Sequence, residues 1–390
     1  MVWNFIQIGA QMTSCKSSYA HSLIRCIASA LLALTFINNA TASEIKIGVV
    51  MDQSSINSDI ARDYMAGARA FFDHHNSQVK ASDRILLVVK DDEGIATKAV
   101  EATRELIERD KVDALFGFVG DESIAAVSAD QVFRRARIAL YAPLSGDVVS
   151  AVPDTIFYVR PTYRAEARYL INHFNLLGNN NFLIVSTSTP SGDRLSAQIA
   201  EEVVLKNLRT PTRVNIPADY KGMRDIANRV LKLNPQVIIL ATDTITSAEF
   251  VKSFRALDKG TNIVAFSTVN HRTLMELAKP EFAASTMITQ VVPHPDLPLS
   301  KVQVEHLQLM AKYRDEPPSH VTLEGFIAAK SFVNAITRAK AETRPAILSA
   351  LSGERRFDVG GITLVFTGTD DRGSKFVELA FLRRSGKLIQ

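Results

Sequence analysis

An α/β fold of two doubly wound lobes, each built on a parallel sheet, is predicted for this chain. Apolar segments of strand length alternate with amphipathic helical segments along most of it, as in parallel sheets covered by helices. The alternation runs from Ile45 to Val159 and starts again after Arg160-Pro161. A length of 390 residues exceeds one ordinary core and suits two domains.

The first series of segments predicts strands joined by helices. The segment after the first strand is typical, because Ile60, Tyr64, Ala68 and Phe71 recur at helical spacing and form one apolar face. The predicted strands are Ile45–Met51, Ile85–Lys90, Val112–Gly117, Ile138–Tyr141 and Ile156–Val159, and the helices are Ile60–His74, Thr97–Arg109 and one ending near Ala136.

The second series repeats this order, and a tail follows that departs from it. Its strands are Phe182–Ser186, Thr212–Ile216, Val237–Ala241, Ile263–Phe266 and Met287–Val291, between helices Arg164–Leu177, Gly192–Leu208, Met223–Leu233, Ser247–Leu257 and His271–Ala278. The tail predicts helices Lys301–Tyr313, Leu323–Lys340 and Pro345–Leu351, then a β-hairpin of Ile362–Phe366 with Phe376–Leu382. No low-complexity linker separates the lobes, which indicates short crossovers and a rigid hinge.

Residues 1–42 are predicted to be a secretory signal peptide, which directs the chain to the periplasm. Basic residues precede the apolar run Cys26–Ile37, and an Ala-x-Ala cleavage site follows at Ala40–Ala42. The run is too short for a membrane anchor. Both cysteines would leave with this segment, so the mature chain has no disulfide and no thiol nucleophile. Translation starts at either Met1 or Met12.

Composition and motifs exclude several function classes. The content of 46% apolar and 22% charged residues is that of a globular protein, and a net charge of +4 gives no case for nucleic acid. The adjacent His74 and His75 cannot form the i, i+4 pair of a zinc helix. No nucleophile elbow, Walker motif or dinucleotide fingerprint is present. We therefore expect no enzyme activity, no cofactor and no metal.

The segment Val112–Asp147 is the predicted wall of a small-molecule site. Two of its strands end in short loops, Gly117–Ser123 and Pro143–Asp147, which are rich in glycine, hydroxyl and acid groups. In a parallel sheet, neighbouring loops meet at the carboxyl edge of the strands, where open α/β folds hold their ligands.

From Glu44 to Gln390 the layout resembles the periplasmic substrate-binding proteins of ABC transporters, of the leucine/isoleucine/valine-binding type. The motifs that carry the resemblance are IKIGVV, Asp91-Asp92-Glu93-Gly94, AVEATRELIERDKVDALFG, YAPLSG, VVPHP and SHVTLEGFIAAK. The resemblance implies a type I periplasmic-binding fold, in which two lobes close on a ligand about a hinge of about three crossovers. We place these near Pro161, Pro293 and Gly353. Lobe 1 then holds residues 43–161 and 293–353, and lobe 2 holds 162–292 and 354–390.

The same resemblance implies that the loop and turn of lobe 1 grip the carboxylate of the ligand. The hydroxyls of Ser123 and Ser145, with free N–H groups at a helix start, suit a small anion. Gly120 and Gly146 would let the backbone approach the ligand, beside Leu144.

This chain departs from the family pattern at several of these positions. Asp121 and Glu122 stand where relatives carry small or hydroxyl residues, and two carboxylates would repel an anionic ligand. Either Asp121 caps the helix and Glu122 strengthens its first turn, or one of them binds an ammonium group. In lobe 2, Ser191 replaces an aromatic residue, Asp243-Thr244 lies in the loop that relatives make aromatic, and Ser267–Asn270 lacks the acid that clamps an α-ammonium group.

These observations predict a solute-binding protein that captures an amino acid or small organic acid for uptake by a membrane permease. The alternative is a periplasmic sensor that presents its ligand state to a membrane receptor, since the same lobes serve both roles. The two predictions share every site residue named above.

Overall fold

A computed structural model describes residues 44–147, 154–217, 222–353, 356–366 and 372–389. The predicted signal peptide and its cleavage site lie outside these ranges. Within them, no helix has the length and apolar character needed to span a membrane.

The first lobe is built on a sheet of five parallel strands in the order β2-β1-β3-β4-β5. Successive residues of the strand Ile45–Met51 enter different cores, because Val49 packs on one face of the sheet and Val50 on the other. The strands are β1 Ile45–Met51, β2 Ile85–Asp91, β3 Ala114–Phe116, β4 Leu140–Tyr141 and β5 Ile156–Phe157. The helices are α1 Ser58–Gln78, the 3₁₀ turn Ala81–Asp83, α2 Ala96–Glu108, α3 Asp121–Ala129 and α4 Gln131–Ala136.

One predicted helix is two. Asp130 has extended backbone angles and ends α3, and its side chain accepts hydrogen bonds from the N–H groups of Val132 and Phe133. It is therefore the N-cap of α4. Apolar spacing alone did not show this break, because Val127 and Phe133 are both buried in the same core.

The second lobe has a seven-stranded sheet in the order β14-β13-β10-β9-β8-β6-β7. Its first five strands in sequence are parallel, and the last two add an antiparallel edge. The strands are β6 Phe182–Thr187, β7 Thr212–Ile216, β8 Val237–Ala241, β9 Asn262–Ala265, β10 Thr286–Gln290, β13 Glu378–Leu382 and β14 Leu388–Ile389. The helices are α5 Tyr163–Leu176, α6 Pro190–Leu205, α7 Met223–Lys232, α8 Thr244–Arg255, α9 His271–Ala278 and α10 Pro280–Ala283.

The tail returns to the first lobe before its last strands join the second. Helices α11 Lys301–Tyr313, α12 His320–Ala339 and α13 Arg344–Gly353 supply buried residues to the first core. The predicted hairpin is wrong, because β12 Thr363–Val365 pairs with β11 Arg356–Asp358, whereas β13 pairs with β10 and β14. Phe357 and Phe366 also belong to the first core. Gly373 N and Ser374 N still donate to the carbonyl oxygens of Tyr158 and Val159 in the first lobe, so the chain passes to the second lobe after Ser374 and not near Gly353.

The closest helix crossing in the first lobe depends on two glycines. Gly67 of α1 lies against the backbone of α12, and Gly325 of α12 lies against the backbone of α1. A Cβ on Gly67 would lie 1.7 Å from the carbonyl oxygen of Thr322, and one on Gly325 would lie 2.0 Å from that of Tyr64. Neither backbone atom can move aside as a flexible side chain would, so the crossing admits only glycine at both positions.

We predict that Gly325→Ala lowers the free energy of unfolding by about 3 kcal/mol or more, since overpacking against backbone must separate the two helices. Gly353→Ala is the matched control, because nothing lies within 4 Å of a Cβ at that helical position. Urea unfolding followed by circular dichroism measures both. Equal stabilities of the two variants would contradict the close crossing.

Candidate ligand-binding site

A cleft of about 350 Å³ lies between the lobes, at the carboxyl ends of both sheets. This is the place that the sequence predicted for a ligand. First-lobe residues that line it are Ile56, Asn57, Ile60, Gly94, Val119, Gly120, Asp121, Glu122, Ser123 and Leu144. Second-lobe residues are Tyr163, Thr187, Thr189, Ser191, Gly192, Leu195, Ala241, Thr242, Asp243, Phe266 and Thr268.

The start of α3 forms the centre of the first-lobe wall. Gly120 precedes the helix with a φ of 106°, a conformation that favours glycine. Gly120 has no side chain that could cap the helix, so its position supplies no acceptor to the N–H groups of the first turn. Leu144 lies beside it, because its N–H donates to the carbonyl oxygen of Phe118 at 2.7 Å.

The two serines predicted to grip a carboxylate donate to the protein's own acids. Ser123 Oγ donates to Asp92 Oδ2 at 2.7 Å, and Ser145 Oγ donates to Asp121 Oδ1 at 2.5 Å. Ser145 is also buried and does not line the cleft. Both hydroxyl protons therefore point at carboxylates of the protein, and a grip of these serines on a ligand anion stays a prediction.

Gly146 has a packing role and does not line the cleft. A Cβ at this position would lie 2.4 Å from the ring of Tyr163, and its carbonyl oxygen accepts a hydrogen bond from Tyr163 N at 2.7 Å. The absence of a side chain at Gly146 leaves room for the Tyr163 ring of the second lobe. The sequence analysis had expected a ligand to occupy this space.

Asp121 lies inside the cleft and does not cap α3. It is the first helical residue, and its carboxylate accepts hydrogen bonds from Ser145 Oγ and, at 3.2 Å, from the hydroxyl of Tyr163. Removal from water, together with the nearby charge of Asp147, raises the pKa of Asp121 to about 6. The carboxylate is therefore short of positive partners, and a cation would stabilise it.

Glu122 reaches across the cleft to the second lobe. Its Oε1 accepts a hydrogen bond from Ser191 N at 2.6 Å, and its Oε2 lies 3.8 Å from Arg194 Nη2. Ser191 is in the first turn of α6, so the carboxylate sits at a positive helix end. Glu122 thus has an interlobe role that neither alternative at the sequence level contained.

Further polar contacts join the lobes on both sides of the cleft. Arg194 of α6 binds Asp147 of the first lobe, with Nη2 and Oδ2 2.6 Å apart. On the other side, Asn270 Nδ2 donates to Asp63 Oδ2 at 3.1 Å, and Arg272 Nη1 lies 3.7 Å from the same oxygen. The lobes are therefore in direct contact around the cleft, as in a closed clamp.

The predicted second-lobe residues have mixed positions. Ser191 and Asp243 line the cleft, but Thr244 is buried, and its Oγ1 accepts from Asn270 N at 3.1 Å. Asp243 caps α8, since its two oxygens accept from Thr246 N at 2.9 Å and Thr246 Oγ1 at 2.6 Å. Ser191 also donates its N–H to Glu122 of the first lobe.

Sequence reasoning missed the aromatic wall of the cleft. Tyr163 and Phe266 pack edge to face with ring centroids 5.6 Å apart, and both line the cleft. The sequence places no aromatic residue next to Ser191, but Tyr163 supplies one from the start of α5. Tyr163 follows the predicted crossover at Pro161 by two residues, and this position between the lobes could have indicated from the sequence that it lines the cleft.

The charged residues that line the cleft, within the described ranges, are all acidic: Asp121, Glu122 and Asp243. The same ranges contain no cluster of three or more His, Cys, Asp or Glu side chains arranged to hold a metal ion. The cleft combines these acids with hydroxyls, helix N–H groups and an apolar floor of Ile60 and Leu195. Such a lining suits a small ligand that carries positive charge.

We predict that Asp121→Asn stabilises the ligand-free protein at pH 7 by up to about 3 kcal/mol, because a raised pKa means that folding disfavours the carboxylate. The gain should vanish below about pH 4, where Asp121 is protonated in both folded and unfolded states, and grow as pH rises to about 6. Urea unfolding at pH 4 and 7 measures it, with exposed Asp225→Asn as control. An equal effect at both pH values would contradict the argument.

Comparisons with known proteins agree with this architecture. A solved substrate-binding periplasmic protein from Ralstonia solanacearum is 25% identical, with a TM-score of 0.83 over 89% of this chain and 100% of that one. A possible leucine/isoleucine/valine-binding protein from Rhodopirellula baltica is 19% identical, with a TM-score of 0.83 over 91% and 98%. A fatty acid ABC transporter substrate-binding protein from Thermomonospora curvata is 16% identical, with a TM-score of 0.77 over 89% and 91%.

A comparison with curated proteins gives no match. The model of the periplasmic binding protein family matches residues 44–386, which is nearly all of the chain after the predicted signal peptide. Together with two α/β lobes that close around a cleft, this match confirms the type I periplasmic-binding fold that the sequence predicted. The chain belongs to the periplasmic binding protein family.

Proposed function

We propose that the protein captures a small ligand bearing an amino group between its lobes and delivers it to the permease of an ABC transporter. The observation that carries this proposal is the charge of the cleft, since its described charged lining residues are three acids. An anionic organic acid would meet Asp121 and Glu122 without a matching base. Of the two predicted ligand classes, the amino acid therefore fits better.

The cleft offers a place for each part of such a ligand. An ammonium group beside Asp121 would supply the positive charge that this carboxylate lacks. A carboxylate, where the ligand has one, would meet the uncapped N–H groups of α3. An apolar side chain would lie against Ile60, Leu195 and Phe266.

Capture would follow the hinged-clamp sequence typical of two-lobed binding proteins. The ligand binds one lobe of an open form, and the contacts of Glu122 with Ser191 and of Asp147 with Arg194 then hold the closed form. The closed form is the one that a permease in the membrane recognises. In the alternative role, a membrane receptor reads it as a sensor signal. A neighbouring permease gene or a neighbouring receptor gene distinguishes the two roles.

The ligand class is tested by a thermal-shift screen of the mature protein with matched molecules. We expect leucine and 3-methylbutylamine to raise the melting temperature more than 4-methylpentanoate, which has no amino group. A ligand at about 100 times its Kd adds roughly 2.7 kcal/mol of stability. Stabilisation by the carboxylate alone would contradict the proposed class, and a broad library without any stabilising compound would contradict solute capture.

For the ligand that the screen identifies, we predict that Asp121→Asn weakens binding more than tenfold, which corresponds to about 1.4 kcal/mol. Binding to the wild type should also weaken as pH falls below about 6, because protonation removes the charge of Asp121. Titration calorimetry at pH 5 and 7.5 measures both effects. Asp225→Asn serves again as control, and an Asp121→Asn variant with wild-type affinity would return this residue to a structural role.

A further inference from the structure

Two neighbouring loops of the second lobe form one side of the cleft. Strands β6 and β8 pair in parallel, with Ser186 opposite Ala241. Thr187 ends β6 and Thr242 follows β8, so the two threonines lie side by side at the carboxyl edge of the sheet. Both are partly exposed and line the cleft. The loops that they begin therefore present one surface to a ligand.

The first loop contributes three linked hydroxyl groups. Thr187 Oγ1 lies 3.2 Å from Thr189 Oγ1, which in turn lies 3.3 Å from Ser191 Oγ. All three side chains are partly exposed and line the cleft. Thr189 Oγ1 also accepts from Gly192 N at 3.1 Å. Within the described chain, the two contacts between hydroxyls use two of the three protons. One proton and several lone pairs therefore remain for a ligand.

The second loop contributes Thr242 and Asp243. Thr242 Oγ1 lies 2.7 Å from Ser247 Oγ. Asp243 is the N-cap of α8, where its carboxylate accepts from the N–H and the hydroxyl of Thr246. The positive end of this helix offsets its charge, so its remaining lone pairs can accept from a neutral donor. We call Thr187, Thr189, Ser191, Thr242 and Asp243 the polar wall.

The proposed function directs the side chain of the ligand to the polar wall. An ammonium group beside Asp121 and a carboxylate at the start of α3 would both bind the first lobe. The stem of the side chain would then lie over Leu195, with its end at the second lobe. An apolar end would displace water from the polar wall without replacing its hydrogen bonds, and such a loss weakens binding.

We propose that the cleft selects an amino acid whose side chain ends in a neutral hydrogen-bond donor, either a carboxamide or a hydroxyl. This inference rests on the proposed function and narrows its ligand class. The N–H or O–H of the side chain donates to lone pairs of the polar wall, and a carboxamide oxygen accepts the remaining hydroxyl proton. An aliphatic side chain of equal shape has neither function.

The test compares ligands of equal shape by titration calorimetry of the mature protein at pH 7.5. Asparagine and leucine have side chains with the same branching, as do threonine and valine. We expect the polar member of at least one pair to bind about tenfold more tightly or better, as one or two additional hydrogen bonds predict. Absence of this preference in both pairs would overturn the inference, as would no measurable binding of any of the four.

A double variant, Thr187→Val with Thr242→Val, removes one hydroxyl from each loop and keeps the branched shape. Thr212→Val is the matched control, because Thr212 is exposed at the start of β7 and does not line the cleft. We expect the double variant to abolish the preference for the polar ligand and the control to retain it. Damage to the fold alone would weaken both members of a pair alike, so a retained preference in the double variant would overturn the assignment.

Circular dichroism checks that the double variant folds, and Ser191→Ala replaces it if it does not, with the same expected change. Failure of the proposed function gives a different result. Stabilisation by 4-methylpentanoate alone would reject the amino-group ligand. Leucine that binds as tightly as asparagine, valine that binds as tightly as threonine and a carboxylate that binds more weakly than all four would overturn only the polar side chain.

Discussion

Several carboxylates of the first lobe take a donor from the second lobe, and besides Asp63 three of them lie around the cleft. Asp121 accepts from the Tyr163 hydroxyl, Glu122 from the N–H of Ser191, and Asp147 from Arg194. Rotation of the lobes apart would separate all three from their partners and expose them to water. Closure would therefore replace water around these carboxylates by hydrogen bonds from the second lobe. The net free energy of each such exchange is only about 1 kcal/mol, so the binding energy of a ligand would be enough to shift the equilibrium between open and closed forms.

The same acids explain why this cleft differs from one that grips a carboxylate. Ser123 and Ser145 are hydroxyls at the expected positions, yet Asp92 and Asp121 take their protons. The two neighbouring acids thus take up the hydroxyl protons that a ligand carboxylate would otherwise accept. The first turn of α3, which has no side-chain cap, is the feature of this wall that would favour a negative group.

Cleft and hinge handle buried charge in different ways. In the cleft, acids face solvent-accessible space and obtain donors from the opposite lobe. At the hinge, Arg160 is enclosed with Glu166 and Glu324, and the ion pairs at 3.6 Å leave two of its nitrogens without acceptors. Buried ion pairs contribute little net stability unless every group is satisfied. The buried ion pairs at the hinge are therefore weak evidence for stability, whereas the contacts of Glu122 with Ser191 and of Asp147 with Arg194 hold the two lobes together.

Much of the fold follows from the sequence because periodicity is a local property. Strands Thr212–Ile216 and Val237–Ala241 have the predicted bounds. Val237–Ala241 is an apolar run that is buried throughout, and Thr212–Ile216 is an edge strand in which buried and exposed residues alternate. Errors occurred where pairing was long-range. The pattern of Thr363–Val365 predicts a strand but not the lobe to which the strand belongs. It pairs with β11 because Phe357 and Phe366 pack in the core of the first lobe.

The sequence by itself determined that two α/β lobes exist and that Gly120, Asp121 and Glu122 follow a strand of the first sheet, at the edge where the cleft lies. Only the tertiary structure decided what those residues do. A carboxylate's role depends on its hydrogen-bond partners, and those of Asp121 and Glu122 come from Tyr163 and Ser191, 42 and 69 residues away in sequence. Local patterns carry no information on such partners, because a contact between lobes arises from how two finished folds meet.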